Sequence, residues 1–443
     1  MFSNKDLRKL IIPLVIEQLL AVTIGMADTV MVSSCGEAAV SGISLVDSID
    51  FLLITLFSSL ATGGAVIASQ YIGRGDHKSA SLAAKQLFYA SLVLSAVLGV
   101  IAVFFRKPVL NMVFGSIEAD VMAHAQIYFL LSAISYPFLA VYNAGAALFR
   151  SMGDSRTTML ISILMNTINI VGNAILIYGF QMAAAGAAAA SLVSRAVGAI
   201  IITVLLLNPR RIIFYDKLHK PEIHLSMLKS ILQIGVPNGL ENSIFQIGKI
   251  LVASIVSGFG TISITANAVA GNLASLQVIP GMALGMAMIT VVGQCIGAKD
   301  YEAVKKYTKK LMLITYGVVW AMTLLMLLFS KQILSFYSLS EETTTMTMEV
   351  FIVHGICAVI VWPLAFALPN ALRAANDVRF TMIVSLLSMW IFRIGFSYIL
   401  AIYFNMGILG TWIAMCIDWF CRGACFVIRF ARGKWKNISF IDN

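Results

Sequence analysis

The sequence predicts an all-α integral membrane protein, with twelve transmembrane helices in two parallel six-helix repeats. Three observations carry that expectation. Only 12% of the 443 residues are charged and 59% are hydrophobic, with a mean hydropathy of +0.90; soluble domains carry about 25% charged residues. Continuous apolar runs of about 20 residues or more recur along the whole chain, each long enough to cross a hydrocarbon core of about 30 Å. The chain also repeats itself: Pro13 and Glu17 return 224 residues later as Pro237 and Glu241.

The runs fall at about residues 10–33, 40–70, 84–105, 121–148, 157–179, 183–207, 231–258, 263–295, 309–330, 346–371, 380–404 and 407–430. Barrel strands are excluded because they alternate polar and apolar residues in segments of about ten. The first run follows Lys5, Arg8 and Lys9, as in a signal peptide. It is too long for one, and its Pro13/Glu17 pattern recurs in run seven, so it reads as a mature helix. After runs two and eight, Ser69-Gln70-Tyr71-Ile72-Gly73-Arg74-Gly75-Asp76 returns as Gly293-Gln294-Cys295-Ile296-Gly297-Ala298-Lys299-Asp300. After runs four and ten, Arg150, Asp154, Arg156, Thr158 and Met159 return as Arg373, Asp377, Arg379, Thr381 and Met382. Two fused copies of one membrane unit suggest two lobes about a central pathway, the architecture of a transporter.

Charge placement orients the helices. Of the 31 Lys and Arg, only Arg106, Lys107 and Lys331 fall in odd-numbered loops, and Arg195, Lys249, Arg393 and Arg422 fall within runs. The others occupy both termini, the even-numbered loops and the run ends next to them, so by the positive-inside rule that side is cytoplasmic. The net charge of +10 is therefore mostly topological bias, and no exposed basic reading element points to nucleic acid. The polar stretch from Asn208-Pro209-Arg210-Arg211 to Lys229 joins the halves. The expected organisation is an N-terminal lobe over residues 1–208, a cytoplasmic linker over 209–229 and a C-terminal lobe over 230–443. Each half enters the bilayer from the same side, which makes the repeats parallel.

Cysteine and histidine offer no metal framework. Cys416, Cys421 and Cys425 lie near one another on run twelve without a ligand at zinc-site spacing, and His77, His124, His219, His224 and His354 are scattered.

Polar residues inside the runs are the candidate functional groups, since a charge at mid-bilayer costs at least about 2.5–3.5 kcal/mol on insertion scales. Glu17 and Asp28 in run one lie within about 20° of one face, roughly 16 Å apart along the axis. Glu17, near the helix end, can snorkel to the interface; Asp28 sits deeper. Asn166, Asn169 and Asn173 form one stripe on run five, fit either to glue helices or to line an ion site with carbonyl oxygens. Run seven carries Asn238, Glu241, Asn242, Gln246 and Lys249. Glu241, with Asn238 and Gln246, is expected to line the C-terminal half of a cavity and favour cations; its alternatives are a pair with Lys249 or an anchor at the helix end. Asp418 and Arg422 are spaced i,i+4, as a structural ion pair would be, with Arg393 a candidate third member. Pro237, Pro280, Pro363 and Pro369 interrupt apolar runs, as in helices that bend.

These residues together resemble the multidrug and toxic compound extrusion (MATE) family of the MOP superfamily. The likeness rests on Met26-Ala27-Asp28-Thr29-Val30-Met31-Val32, the Gln-x-Ile-Gly loops and Arg150-Ser151-Met152-Gly153-Asp154. Asn169-Ile170-Val171-Gly172-Asn173 and Gly186-Ala187-Ala188-Ala189-Ala190-Ser191 complete it. It spans about residues 8–432, and implies an antiporter that exports organic, often cationic, compounds as sodium ions or protons enter. The family's coupling acid falls on Asp28, its asparagine–acid pair on Asn169 and Asn173, and its span-six hydroxyl on Ser191. The second pair member is an amide here, so the site holds one acid. The C-terminal half departs further, since Glu241 sits nearer its proline than the family's corresponding glutamate. The resemblance further implies no enzymatic activity, no cofactor beyond the coupling H+ or Na+, no metal site beyond sodium at Asp28, and a monomer in the plasma membrane. Two rivals share parts of the pattern. A lipid-linked saccharide flippase of the same superfamily calls for a basic interior, and a major-facilitator transporter for an Asp-Arg-x-Gly-Arg-Arg-like loop where Tyr71-Ile72-Gly73-Arg74-Gly75-Asp76 stands.

Overall fold

Hydrocarbon offers no partner for backbone N–H and C=O groups, so apolar runs of this length can only close their hydrogen bonds within themselves. The computed structural model, which describes residues 2–115, 118–216, 218–337 and 339–441 (without the side chains of Ile24, Met26, Ala27 and Thr29), is helical throughout its apolar runs. The first six helices are α1 (Asn4–Ser33), α2 (Glu37–Arg74), α3 (His77–Phe114), α4 (Ala119–Ser151), α5 (Ser155–Gly179) and α6 (Ala183–Leu206). The second six are α7 (Leu225–Ser257), α8 (Thr261–Gly297), α9 (Tyr301–Leu328), α10 (Glu341–Ile360), α11 (Val378–Tyr403) and α12 (Gly407–Ala431). Helices α2 to α12 are each long and apolar enough to cross a membrane, and α1 has 30 residues. Large apolar side chains such as Val93, Phe104, Val204, Leu313, Trp320 and Phe420 stand exposed on the helix surfaces, as a lipid solvent requires.

By its contacts the chain divides into two units, Met1–Gly239 and Leu240–Asn443. In the first, α4 packs against α2, α3 and α6, and α5 lies against α1 and α6. Small residues permit the closest approach: a Cβ at Gly42 of α2 would lie 2.9 Å from the Ala125 nitrogen of α4. A dry cluster of Val46, Phe57, Phe129 and Tyr136 fills the space between α2 and α4. In the second unit α8 is the central helix, packed against α9 and α10. An aromatic cluster of Trp362, Trp412 and Trp419 forms its core. Pro363 has no N–H for the i–4 bond, and the chain rewinds as a π segment, Pro363–Ala367, before a last helical stretch, Leu368–Ala374. Pro13, Pro237 and Pro280, by contrast, are carried inside continuous helices.

The linker between the halves is folded onto the first unit. Ile213 and Tyr215 are buried, and Arg211 stacks on Phe149 and pairs with Asp154 at 3.3 Å. Gln86 of α3 donates to the Glu222 carbonyl and accepts from the His224 N–H, while the Tyr89 hydroxyl donates to the Leu218 carbonyl. Polarity in sequence marked the segment as a connection; part of its backbone is satisfied by α3.

The repeat extends to backbone conformation. Left-handed residues recur in pairs at the sequence offset: Gly75 with Lys299, Gly153 with Asn376, Gln181 with Asn405, and Ala183 with Gly407. Gly75 and Lys299 close α2 and α8 alike, the following aspartate N–H reaching back to Tyr71 and Cys295 at 3.0 and 3.1 Å. Those aspartates, Asp76 and Asp300, then cap α3 and α9 by accepting from the Ser79 and Ala303 N–H groups. The last turn of α5 is π-wound over Ala174–Gly179, and so is its counterpart in α11, Tyr398–Tyr403.

Gly75 isolates the strain at such a turn, since a Cβ there meets nothing within 4 Å at φ +79°. Gly75→Ala should lower stability by about 1 kcal/mol, a left-handed alanine being disfavoured by about that much, and a drop in the unfolding temperature of purified protein in detergent would report it.

Candidate functional site

Asp28, deep in α1 and half-buried, is met by two amides from α5. Asn173 Nδ2 donates to Asp28 Oδ1 at 2.7 Å. With the Asn169 amide oriented so that both its atoms are satisfied, its Nδ2 donates to the same oxygen at 2.8 Å and its Oδ1 accepts from Ser191 Oγ of α6 at 3.0 Å. The stripe works because residues 169 and 173 are one turn apart and share a face. Asn166, one turn earlier, bonds Ser162 instead. Asn169 and Asn173 are buried, and the Asn173 Oδ1 atom has no hydrogen-bond partner. A buried carbonyl oxygen left open beside a carboxylate is a position where a cation or a proton donor is favoured.

A second acidic group stands in the same unit, and sequence reading passed over it. Asp47 and Asp50, three residues apart on α2, each accept from a tyrosine of α4: Tyr128 at 3.1 Å and Tyr136 at 2.6 Å. Asp50 and Tyr136 are buried, while Asp47 is exposed. Arg195 of α6 donates to Ser135 Oγ at 2.6 Å and lies within electrostatic reach of Asp28, Asp47 and Asp50. The signal was present in the chain, since two carboxylates inside an apolar run meet the same insertion cost as Asp28.

Glu17 and Glu241 are held in the same way in the two halves. Glu17 is buried rather than snorkelling: Arg150 approaches it at 3.4 Å and Thr158 donates at 2.8 Å. Glu241 is buried too, its Oε1 accepting from Arg373 Nη2 at 2.8 Å and from Ser385 Oγ at 2.6 Å. Its cation partner is thus Arg373 and not Lys249. Both arginines open the repeated Arg-x-x-x-Asp-x-Arg signature. On the same helix Asn238 is buried and Gln246 half-buried. Glu349, in the third turn of α10, is exposed.

Asp418 and Arg422 of α12 form the i,i+4 pair, at 3.0 Å and both buried. Arg393, in the π-wound segment Met389–Gly395 of α11, lies over the Phe245 ring at 5.4 Å. Among the described residues, no group of three His, Cys, Asp or Glu side chains is placed to hold a metal ion.

Known proteins resemble the chain over nearly its whole length. A family model described as MatE matches it twice, over residues 13–175 and 237–399, starting at Pro13 and Pro237. The chain is 26% identical over 429 residues to the uncharacterized transporter YisQ of Bacillus subtilis, covering 96% of this chain and 93% of the relative. It is 29% identical over 434 residues to the probable multidrug resistance protein NorM of Bacillus cereus, covering 95% and 93%. Its fold matches that of an outward-facing multidrug resistance MATE family transporter of the MOP superfamily with a TM-score of 0.89. The two chains share 20% identity over 98% of this chain and 97% of the other.

The α2–α4 pairs separate by burial. Tyr136→Phe leaves a buried carboxylate short of a donor and should cost about 1–3 kcal/mol; Tyr128→Phe, beside the more exposed Asp47, should cost less, about 1 kcal/mol or under. Unfolding in detergent measures both.

Proposed function

The chain belongs to the MatE family of multidrug and toxic compound extrusion transporters, and from that premise we propose that it is a secondary active antiporter exporting organic, cationic compounds in exchange for sodium ions or protons. It is a multi-pass membrane transporter of small molecules, acting as a monomer in the plasma membrane with both termini in the cytoplasm. Asp28 is the coupling carboxylate, with Asn169, Asn173 and Ser191 in its shell. The observation that carries this reading is the open Asn173 Oδ1 beside Asp28, in a site otherwise satisfied. One carboxylate that can hold a proton, a sodium ion or an organic cation, but not two at once, exchanges them by competition. Amide and hydroxyl oxygens are hard ligands and suit sodium; protonation of Asp28 serves the same exchange without a metal.

In the second half, Asn238 and Gln246 are assigned to the substrate path. Glu241, whose charge is matched by Arg373, ties α7 to the helix end that carries Arg373. Truncating one partner of such a buried pair strands the other charge, so Arg373→Ala should destabilise the protein by about 3–5 kcal/mol.

Purified protein in liposomes, with sodium and pH gradients imposed separately, tests the coupling. Asp28→Asn keeps the shape and removes the charge, so gradient-driven export of an organic cation should fall by about tenfold or more, with an unchanged unfolding temperature. Undiminished export by Asp28→Asn refutes the assignment. The gradient that drives the parent protein identifies the ion.

A further inference from the structure

Charge inside the second unit is unbalanced toward the positive. Its membrane-spanning segments bring Arg393 of α11 and Arg422 of α12 beside one carboxylate, Asp418, with Lys249 of α7 near Arg393. Lys249 and Arg393 lie within electrostatic reach of each other, and Arg393 of both Arg422 and Asp418. Asp418 is already satisfied: Arg422 Nη2 donates to its two oxygens at 3.1 and 3.0 Å, and Ser388 donates to Oδ1. Among the described residues no carboxylate stands within salt-bridge distance of Lys249 or Arg393. The Nε atoms of Arg393 and Arg422, side chains only 9% and 3% exposed, have no hydrogen-bond partner. A structural ion pair needs one cation per carboxylate; two further cations, with two buried donors left open, are costly in an apolar setting unless an anion completes them.

The walls of this cluster are aromatic. The Arg393 and Arg422 guanidinium carbons lie 5.4 and 5.5 Å from the Phe245 ring, and Arg422 lies 5.1 Å from Phe366. Phe366 in turn stacks on Trp362 at 5.4 Å and meets Trp419 edge-on at 5.5 Å. Rings occupy the neighbourhood of the guanidinium faces, and the open Nε–H groups lie on the guanidinium edges, which is the geometry that receives a planar carboxylate. Phe245 and Lys249, one turn apart on α7, are half-buried and exposed.

We propose that the second unit holds a binding site for an aromatic carboxylate, with Arg393 and Lys249 taking the carboxylate, Arg422 supporting them, and Phe245 and Phe366 taking the ring. The inference rests on reading the chain as an exporter of organic compounds and extends their class beyond cations to aromatic molecules bearing an acidic group. It is distinct from coupling at Asp28, because equilibrium binding needs no ion gradient; failure of either reading leaves the other measurable.

Isothermal titration of the purified full-length protein in detergent tests it, with 2-naphthoate as probe and uncharged 2-naphthamide as its match in shape. The parent protein should bind the carboxylate at least ten times more tightly than the amide. Arg393→Gln should abolish that preference and leave amide binding alone. Lys249→Gln, at an exposed position that folding tolerates, should cut carboxylate affinity several-fold, which keeps the test alive if Arg393→Gln fails to fold. Equal binding of the two probes by the parent protein, or a Lys249→Gln loss shared equally by both, overturns the proposal. So does displacement of 2-naphthoate by chloride or pyrophosphate at matching concentration, which would make the cluster an unselective counter-ion site or a phosphate site.

Discussion

A charged side chain in hydrocarbon must be paired, neutralised or wetted, and the interior of this protein is organised by how each charge meets that demand. Glu17 and Glu241 meet it by pairing, each with an arginine from the end of another helix and a hydroxyl donor, although Glu241 Oε2 stays open. Asp50 meets it with a buried tyrosine hydroxyl, and Asp47 by exposure. Asp28 meets it only in part, because its amide shell keeps one oxygen open.

The two halves share a scaffold and differ in what they put inside it. Capping aspartates, left-handed turns, π-wound helix ends and glutamate–arginine clamps recur at the same offset. These features close helix termini and fix helix ends, duties that do not depend on cargo. The remaining interior charge does not recur: Asp28, Asp47 and Asp50 face one arginine in the first half, whereas Arg393 and Arg422, with Lys249 near Arg393, face one aspartate in the second. Duplication preserved the frame, and divergence reversed the sign of the contents.

Much of this was legible in the chain. Hydropathy and repeat offset led to the helices and the two six-helix halves, a 3.6-residue period put Asn169 and Asn173 on one face, and the family resemblance put that face beside Asp28. Partners between helices were harder. Arg373 lies 132 residues from Glu241, and azimuth along one helix says which face a residue occupies without saying which helix lies against it. Lys249, eight residues away, was a nearer candidate and the wrong one. The clue was indirect: Arg150 and Arg373 are matched in the repeat just as Glu17 and Glu241 are. Asp47 and Asp50 were missed for another reason, since two short acids in a 38-residue helix barely lower its mean hydropathy. The docking of the linker onto Gln86 and Tyr89 left no periodic trace, because carbonyl acceptors are common to every residue.

The paired left-handed turns carry a consequence for the protein's history and its engineering. At one pair the first copy holds the glycine and the second a lysine; at another the first holds Ala183 and the second Gly407. Neither half holds a glycine at every left-handed position, so each carries a relaxed residue that the other lacks. Transplanting turn residues from one half to the other amounts to a consensus design from a single molecule, with the fold itself supplying the correspondence between positions.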